Sequence, residues 1–292
     1  MPYLLIQGNY RIIGGAPDGD SIKFYPNKVA RWNELEALGK THRIRKNKDG
    51  GVQLRLDAID TLETHYTPPV GGATVEHQPL KFAHAARDQL LKFLGFTQVQ
   101  QNANEKVISS QPARVPGFIL SKFVDTYGRA VSFVYKGTPP ERDGSTVFVD
   151  AAMLKQSANY HLLAQGLAYP TYYSGLYFEL RNELTKAVAA ARKGKGLWPE
   201  DKTTKGFELK TATTLTEDVV ILPKLFRRLS DYLELNQGSL SLSGLDAYLR
   251  ARNDEVVVLD KGQKTGLHFL VEVKGRQARM KEPPENLMFL EK

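Results

Sequence analysis

The chain of 292 residues has no cysteine, which excludes disulfides and thiolate chemistry at the outset. Histidine is scarce as well. His42, His65, His77, His84, His161 and His268 show no metal-ligand spacing among themselves. With no thiolates and no clustered imidazoles, zinc and other borderline metals are not expected. No apolar run approaches the roughly 20 residues of a membrane-spanning helix. The start, Met1–Gln7, lacks a basic region and has too short an apolar run for a secretory signal, so a cytoplasmic location and no membrane contact are expected. Repeats and low-complexity segments are absent. Negative charge is the smaller share, 32 Asp and Glu against 40 Lys and Arg, for a net +8.

That excess is uneven. Residues 205–292 carry 14 basic and 13 acidic side chains, whereas residues 1–204 hold a surplus of +7. A basic surface favours polyanions through phosphate contacts and counterion release, although a surplus of this size also serves ordinary solubility. A hydrophobic content of 41% supports a sizeable core. The length suits one large domain with an appendage, divided here as 1–204 and 205–292.

Local patterns predict short strands interleaved with helices. Strands are expected over Tyr3–Ile6, Tyr10–Ile13, Ser21–Tyr25, Val52–Ile59, Gly117–Phe123 and Ala130–Tyr135, with Gly8 and the Gly14-Gly15 pair read as breaks. A short helix is expected over Ala30–Leu38, followed by the basic stretch Thr41–Lys48. Pro79–Phe93 is the clearest helix, since Phe82, Ala86, Leu90 and Leu94 recur at helical spacing before Gly95. Asp150–Gln165 and Tyr177–Lys193 complete a set of three. The fold class expected is α+β, an OB-type five-stranded barrel with three helices, a shape that often holds nucleic acid. The extension reads as a small mixed α/β segment, helical over Asp218–Leu235 and Ser243–Arg252, with strands over Glu255–Leu259 and Leu267–Val273.

Charged residues gather in Asp18-Gly19-Asp20, in the run Leu54–Glu63 and in Asp125-Thr126-Tyr127-Gly128-Arg129. Their chemistry suits phosphodiester cleavage. Charge accumulates on the phosphoryl oxygens in the transition state, and a guanidinium forks onto two of them. Arg55 and Arg129 are the candidates. Asp20 and Asp60 can offer hard oxygen ligands to calcium or magnesium. Glu63, three residues past Asp60, can hold or deprotonate a water.

In this order the motifs resemble the staphylococcal-nuclease (thermonuclease) family. The likeness runs from Tyr10-Arg11-Ile12 to Trp198, about two-thirds of the chain, and takes in Gln165-Gly166-Leu167-Ala168 as the family's helix-end signature. The resemblance implies calcium ligands at Asp20, Asp60 and the Thr61 carbonyl. It implies phosphate-binding arginines at Arg55 and Arg129, a general base at Glu63, and nucleotide contacts at Tyr127 and Tyr172. It further implies a calcium-dependent phosphodiesterase, acting on DNA or RNA with little sequence preference and leaving a 3′-phosphate.

The chain departs from the family pattern in places. Leu62 stands where the family has proline, and loops are longer around 27–51, 98–116 and 137–145. Each residue also has a plain structural reading: Arg55 paired with Asp57, Asp60 capping a loop, Glu63 in solvent, Arg129 closing a turn on Asp125. A non-catalytic nucleic-acid-binding or scaffold module on the same barrel is the alternative function. Residues 205–292 could recruit a protein partner or brace the rest of the chain. Side chains alternate along a strand, so Arg55 and Asp60 face opposite ways unless the strand breaks between Asp57 and Asp60. A shared site therefore requires Asp60–Glu63 to be loop.

Overall fold

The computed structural model of the protein describes residues 2–39 and 42–291. Thr41, which opens the basic stretch, lies outside the described residues. The chain divides into two compact units, Met1–Asp57 with Ala86–Leu162, and Ala58–Ala85 with Leu163–Lys292.

In the first unit five strands close a mixed barrel. Tyr3–Tyr10 pairs antiparallel with both Ser21–Pro26 and Val115–Val124. Ser21–Pro26 pairs with Val52–Leu56, which runs parallel to Ala130–Lys136, and that strand returns antiparallel to Val115–Val124. Thr146–Val147 adds a short edge beside the first strand. The expected break at Gly8 is absent, and the first strand runs straight through it. A Cβ at Gly8 would lie 2.2 Å from the Tyr25 carbonyl oxygen, so this glycine permits a close strand approach rather than a turn.

Both faces of the barrel strands are buried and apolar: Ile6, Phe24 and Leu54 share one face, and Leu5, Leu120 and Phe133 the other. Tyr10 is buried too, and its hydroxyl, near the carbonyl oxygens of Phe118 and Tyr135 at 2.8 Å each, satisfies its polar end. A hairpin, Thr97–Gln101 with Val107–Gln111, fills the loop extension that the sequence left unstructured.

The helix expected over 150–165 is two helices, Ala151–Lys155 and Ala158–Ala164. Ser157 separates them. Its Oγ donates to the Leu154 carbonyl and accepts from the Tyr160 N–H, so it ends one helix and caps the next. Asn159 then fixes the second helix to the barrel: Nδ2 donates to the carbonyls of Asp57 and Ser132, and Oδ1 accepts from the Val134 N–H. This pins the end of the Val52–Leu56 strand just before the candidate residues Asp60–Glu63.

In the second unit the two-residue strand Ile59–Asp60 pairs antiparallel with Tyr169–Pro170. Phe178–Ala191 is the expected third helix, burying Leu180, Leu184 and Val188. Trp198 packs edge-on against Tyr169, with the Arg192 guanidinium 3.9 Å over its ring. Residues 205–292 share this unit with 163–204 and are woven into it. Tyr172–Tyr173 pairs parallel with the strand Leu287–Phe289, and Arg192 forks onto Glu285 at 2.7 and 2.9 Å.

The helix Pro223–Leu235 begins later than the Asp218 expected, at a proline in its first turn. Leu267–Leu270 is a helical turn where a strand was expected, and the strand begins at Val271. No helix among the described residues is long and apolar enough to cross a membrane.

Candidate active site

The barrel unit holds Asp20, Arg55, Tyr127 and Arg129. Arg55 sits opposite Ser21 in the strand register, and its guanidinium pairs with the buried carboxylate of Asp20. The turn carrying Tyr127 and Arg129 is organised by Asp125. Its Oδ1 accepts the N–H groups of Tyr127 and Arg129, and its Oδ2 accepts Arg129 Nε at 2.7 Å. Gly128, at φ +79, supplies the left-handed residue of the turn. Arg129 thus closes its own turn, as the structural reading expected, while its guanidinium remains partly open to solvent.

Tyr127 is 74% exposed, with the Arg129 guanidinium 5.3 Å from its ring centroid. The Arg45 N–H donates to the Gly128 carbonyl and holds the basic stretch against this turn. His42, Arg43, Arg45, Lys46 and Lys48 are exposed there. An exposed aromatic beside an arginine and a run of basic side chains matches what a single nucleic-acid strand uses, a stacking platform and a phosphate track.

The second unit holds Asp60, Thr61, Glu63 and Tyr172. The regular strand ends at Leu56, and Ala58 adopts φ +66. Asp60 closes the short strand that follows, and Thr61–Glu63 is irregular. The break between Asp57 and Asp60 that a shared site required is present, although Asp60 itself ends a strand rather than lying in a loop. Leu62, where the family has proline, is fully buried, so burial anchors this loop where proline would stiffen it.

Tyr172 does not suit a nucleotide-contacting role. Its ring is buried, its hydroxyl lies 2.9 Å from Thr185 Oγ1, and its strand pairs within the unit. Burial first of all raises its hydroxyl well above the ordinary tyrosine value. It belongs to the core, as its place among Tyr169, Tyr172, Tyr173 and Tyr177 also allowed.

Asp60 and Glu63 converge on a residue that sequence reasoning missed, Arg227. Its Nη1 and Nη2 fork onto Asp60 Oδ1 and Oδ2 at 3.2 and 2.8 Å, and Nη1 also binds Glu63 Oε1. The Asp60 side chain has no exposed surface. Burial opposes the charge on Arg227, yet Asp60 and Glu63 outweigh it and hold the guanidinium protonated well beyond its ordinary range.

Arg227 lies on the Pro223–Leu235 helix, which the surrounding segments grip. Arg228 forks onto Asp254 at 2.6 and 3.1 Å. Asp231 accepts from Tyr66 and Tyr248, and Ser230 donates to Glu76. Gln78 bridges the same parts: its Oε1 accepts the Glu63 N–H, and its Nε2 donates to the Ile221 carbonyl. The signal in the sequence was the charged set Lys224, Arg227, Arg228 and Asp231 at helical spacing. Such a stripe ordinarily marks a solvated helix face.

The carboxylates as arranged do not fit a divalent cation. Calcium takes six to eight oxygen ligands, and no group of three or more acidic or histidine side chains able to hold a metal gathers among the described residues. Both Asp60 oxygens are engaged by Arg227. Two unit charges about 4 Å apart interact by about 4 kcal/mol at an effective dielectric near 20, and a divalent ion beside the guanidinium would be repelled by about twice that.

Among curated proteins, none matches the chain. Asp20 precedes the segment matched by a family model, but Arg55, Asp60, Thr61, Glu63, Tyr127, Arg129 and Tyr172 all fall inside it. That model, for the staphylococcal nuclease homologue, covers residues 53–200, just over half of the sequence, and the chain therefore belongs to the staphylococcal nuclease family.

Proposed function

We propose that the protein is a nuclease-type phosphodiesterase acting on DNA or RNA with little sequence preference. The observation that carries this reading is the convergence of Asp60 and Glu63 on one positive charge. A fully buried carboxylate is costly and is kept where it has a charged partner. Here one fully buried carboxylate, Asp60, and one partly buried, Glu63, meet at the residues that the family resemblance gives to the cation and to the attacking water.

In this reading Glu63 takes the proton of the attacking water, while Arg55 and Arg129 stabilise the charge that develops on the phosphoryl oxygens. Tyr127 offers a face for base stacking, and the basic side chains beside its turn follow the phosphate backbone. The family resemblance gives calcium, or magnesium in its place, to the Asp60 corner, which as arranged does not fit it. In the arrangement seen, Arg227 holds that position, and no step is routed through a metal.

The second reading, a nucleic-acid-binding module without cleavage, is favoured by the same corner. Its positive charge belongs to the protein itself. Labelled single-stranded DNA and RNA, incubated with the wild type and with Glu63→Gln in calcium, magnesium and chelator, separate the two. Cleavage that falls by orders of magnitude in Glu63→Gln, with binding retained, supports the nuclease. Equal turnover in the variant removes Glu63 from the mechanism. Salt-dependent binding without cleavage under any condition establishes the binding module.

A further inference from the structure

We propose that Arg227 is a built-in occupant of the cation position at Asp60 and Glu63, so that a divalent cation binds this corner only when the Pro223–Leu235 helix gives it up. The inference rests on the proposed function only in taking that carboxylate pair as a cation corner. Its direct support is geometric. One guanidinium spans both carboxylates, forking onto Asp60 and reaching Glu63 with the same Nη1.

The arginine did not drift there from a mobile surface. The helix that bears it is fixed on one side by Arg228 and Asp254. On the other side, Asp231 with Tyr66 and Ser230 with Glu76 tie it to the loop that follows Glu63. Gln78 completes the clamp by holding the Glu63 backbone and the Ile221 carbonyl together. Residues 205–292 thus place Arg227 at the corner and hold its helix through at least three independent contacts.

Two consequences follow from the chemistry of the fork. A guanidinium satisfies planar carboxylates through directed hydrogen bonds, whereas calcium needs several oxygens around a point. The two occupants therefore exclude one another sterically and electrostatically. Removing the guanidinium takes one positive charge from beside the two carboxylates, and a divalent cation meets that much less repulsion there.

The test reads calcium binding without any nucleic acid, using the full-length wild type and Arg227→Gln. Calorimetric titration should show at least tenfold tighter calcium binding in Arg227→Gln. Its unfolding midpoint should rise with millimolar calcium and fall back with chelator, while the wild-type midpoint stays put. Adding Glu63→Gln to Arg227→Gln should weaken the gain. If Arg227→Gln does not fold, Arg227→Lys serves instead. Its point charge cannot span both carboxylates, and calcium should bind it at least threefold more tightly than the wild type.

Equal calcium affinity in the wild type and in the folded variant would overturn the inference, as would a folded Arg227→Gln indifferent to calcium. A variant that gains calcium but cleaves nothing leaves the inference standing and removes the nuclease reading. A wild type that cleaves and binds calcium as tightly as the variant does the reverse.

Discussion

Arg227 sets the energetics of its corner. Removing one partner of a buried ion pair strands the other charge, at a cost of about 3 kcal/mol. Without added metal, Arg227→Gln should lose stability on that scale in urea unfolding, and an unchanged midpoint would show that Asp60 is satisfied by other means. Lys224, one helical turn earlier, behaves differently. Burial pushes its ammonium down to about 8 from the ordinary 10.5; Asp254 opposes the shift, and Arg228 and Arg227 add to it. Its charge is therefore less favourable in the folded chain than in the unfolded one. That penalty is full below pH 8 and fades as the pH rises towards 10.5. Lys224→Met should accordingly be more stable than the wild type at pH 7, with the gap narrowing by pH 10 in thermal melts. A gap that widens with pH would reverse the assignment. Tyr127 is exposed and carries little of the fold. Tyr127→Ala should leave the melting point unchanged while weakening single-strand binding by about 1–2 kcal/mol, the worth of one stacked base.

Among the elements, the basic stretch is pinned to the Asp125–Arg129 turn through Arg45 and Gly128. Replacing Arg43, Arg45 and Lys46 by glutamine should lower the slope of log affinity against log salt by about 2 for single-stranded DNA. A loss of affinity with no change in slope would point away from phosphate contacts. The first barrel strand depends on Gly8, and Gly8→Ala should cost roughly 2 kcal/mol or more through overpacking against Tyr25.

These elements also show where sequence reading succeeds. Pro79–Phe93 and Tyr177–Lys193 were legible to within two residues at each end because their apolar residues recur every three to four positions. Gly8 misled because a glycine in a strand signals either a break or a close approach, and only the partner strand decides. Ser157 looked like part of a continuous helix, yet its hydroxyl ends one helix and starts another. Leu267–Val273 is an apolar run whose period does not separate helix from strand. Leu267 and Leu270, three apart, are both buried, and that spacing is the trace of the turn.

At the scale of the whole molecule, the family signature is legible because chemistry fixes both residue type and order. Asp20, Arg55, Asp60, Glu63 and Arg129 each carry a charge that phosphoryl transfer can use. The occupant of the Asp60 corner was not legible in the same way. Arg227 lies 164 residues beyond Glu63, outside the matched segment, and only the folding of the second unit brings them together. Tyr172 shows the converse: a motif position assigned to substrate is a core residue here, because the strand it sits on pairs with the far C-terminal strand. Residues 205–292 therefore act within their own unit, pairing with its strands and placing a cation on its carboxylates.

The most direct test is cleavage of labelled single-stranded DNA by the wild type, Arg227→Gln and the Arg227→Gln/Glu63→Gln double variant, each in calcium and in chelator. Calcium-dependent cleavage by Arg227→Gln that exceeds the wild type and vanishes in the double variant is the expected result. An Arg227→Gln protein that stays folded and binds the DNA but cleaves none of it in calcium, or a double variant that cleaves as fast as Arg227→Gln, would contradict it.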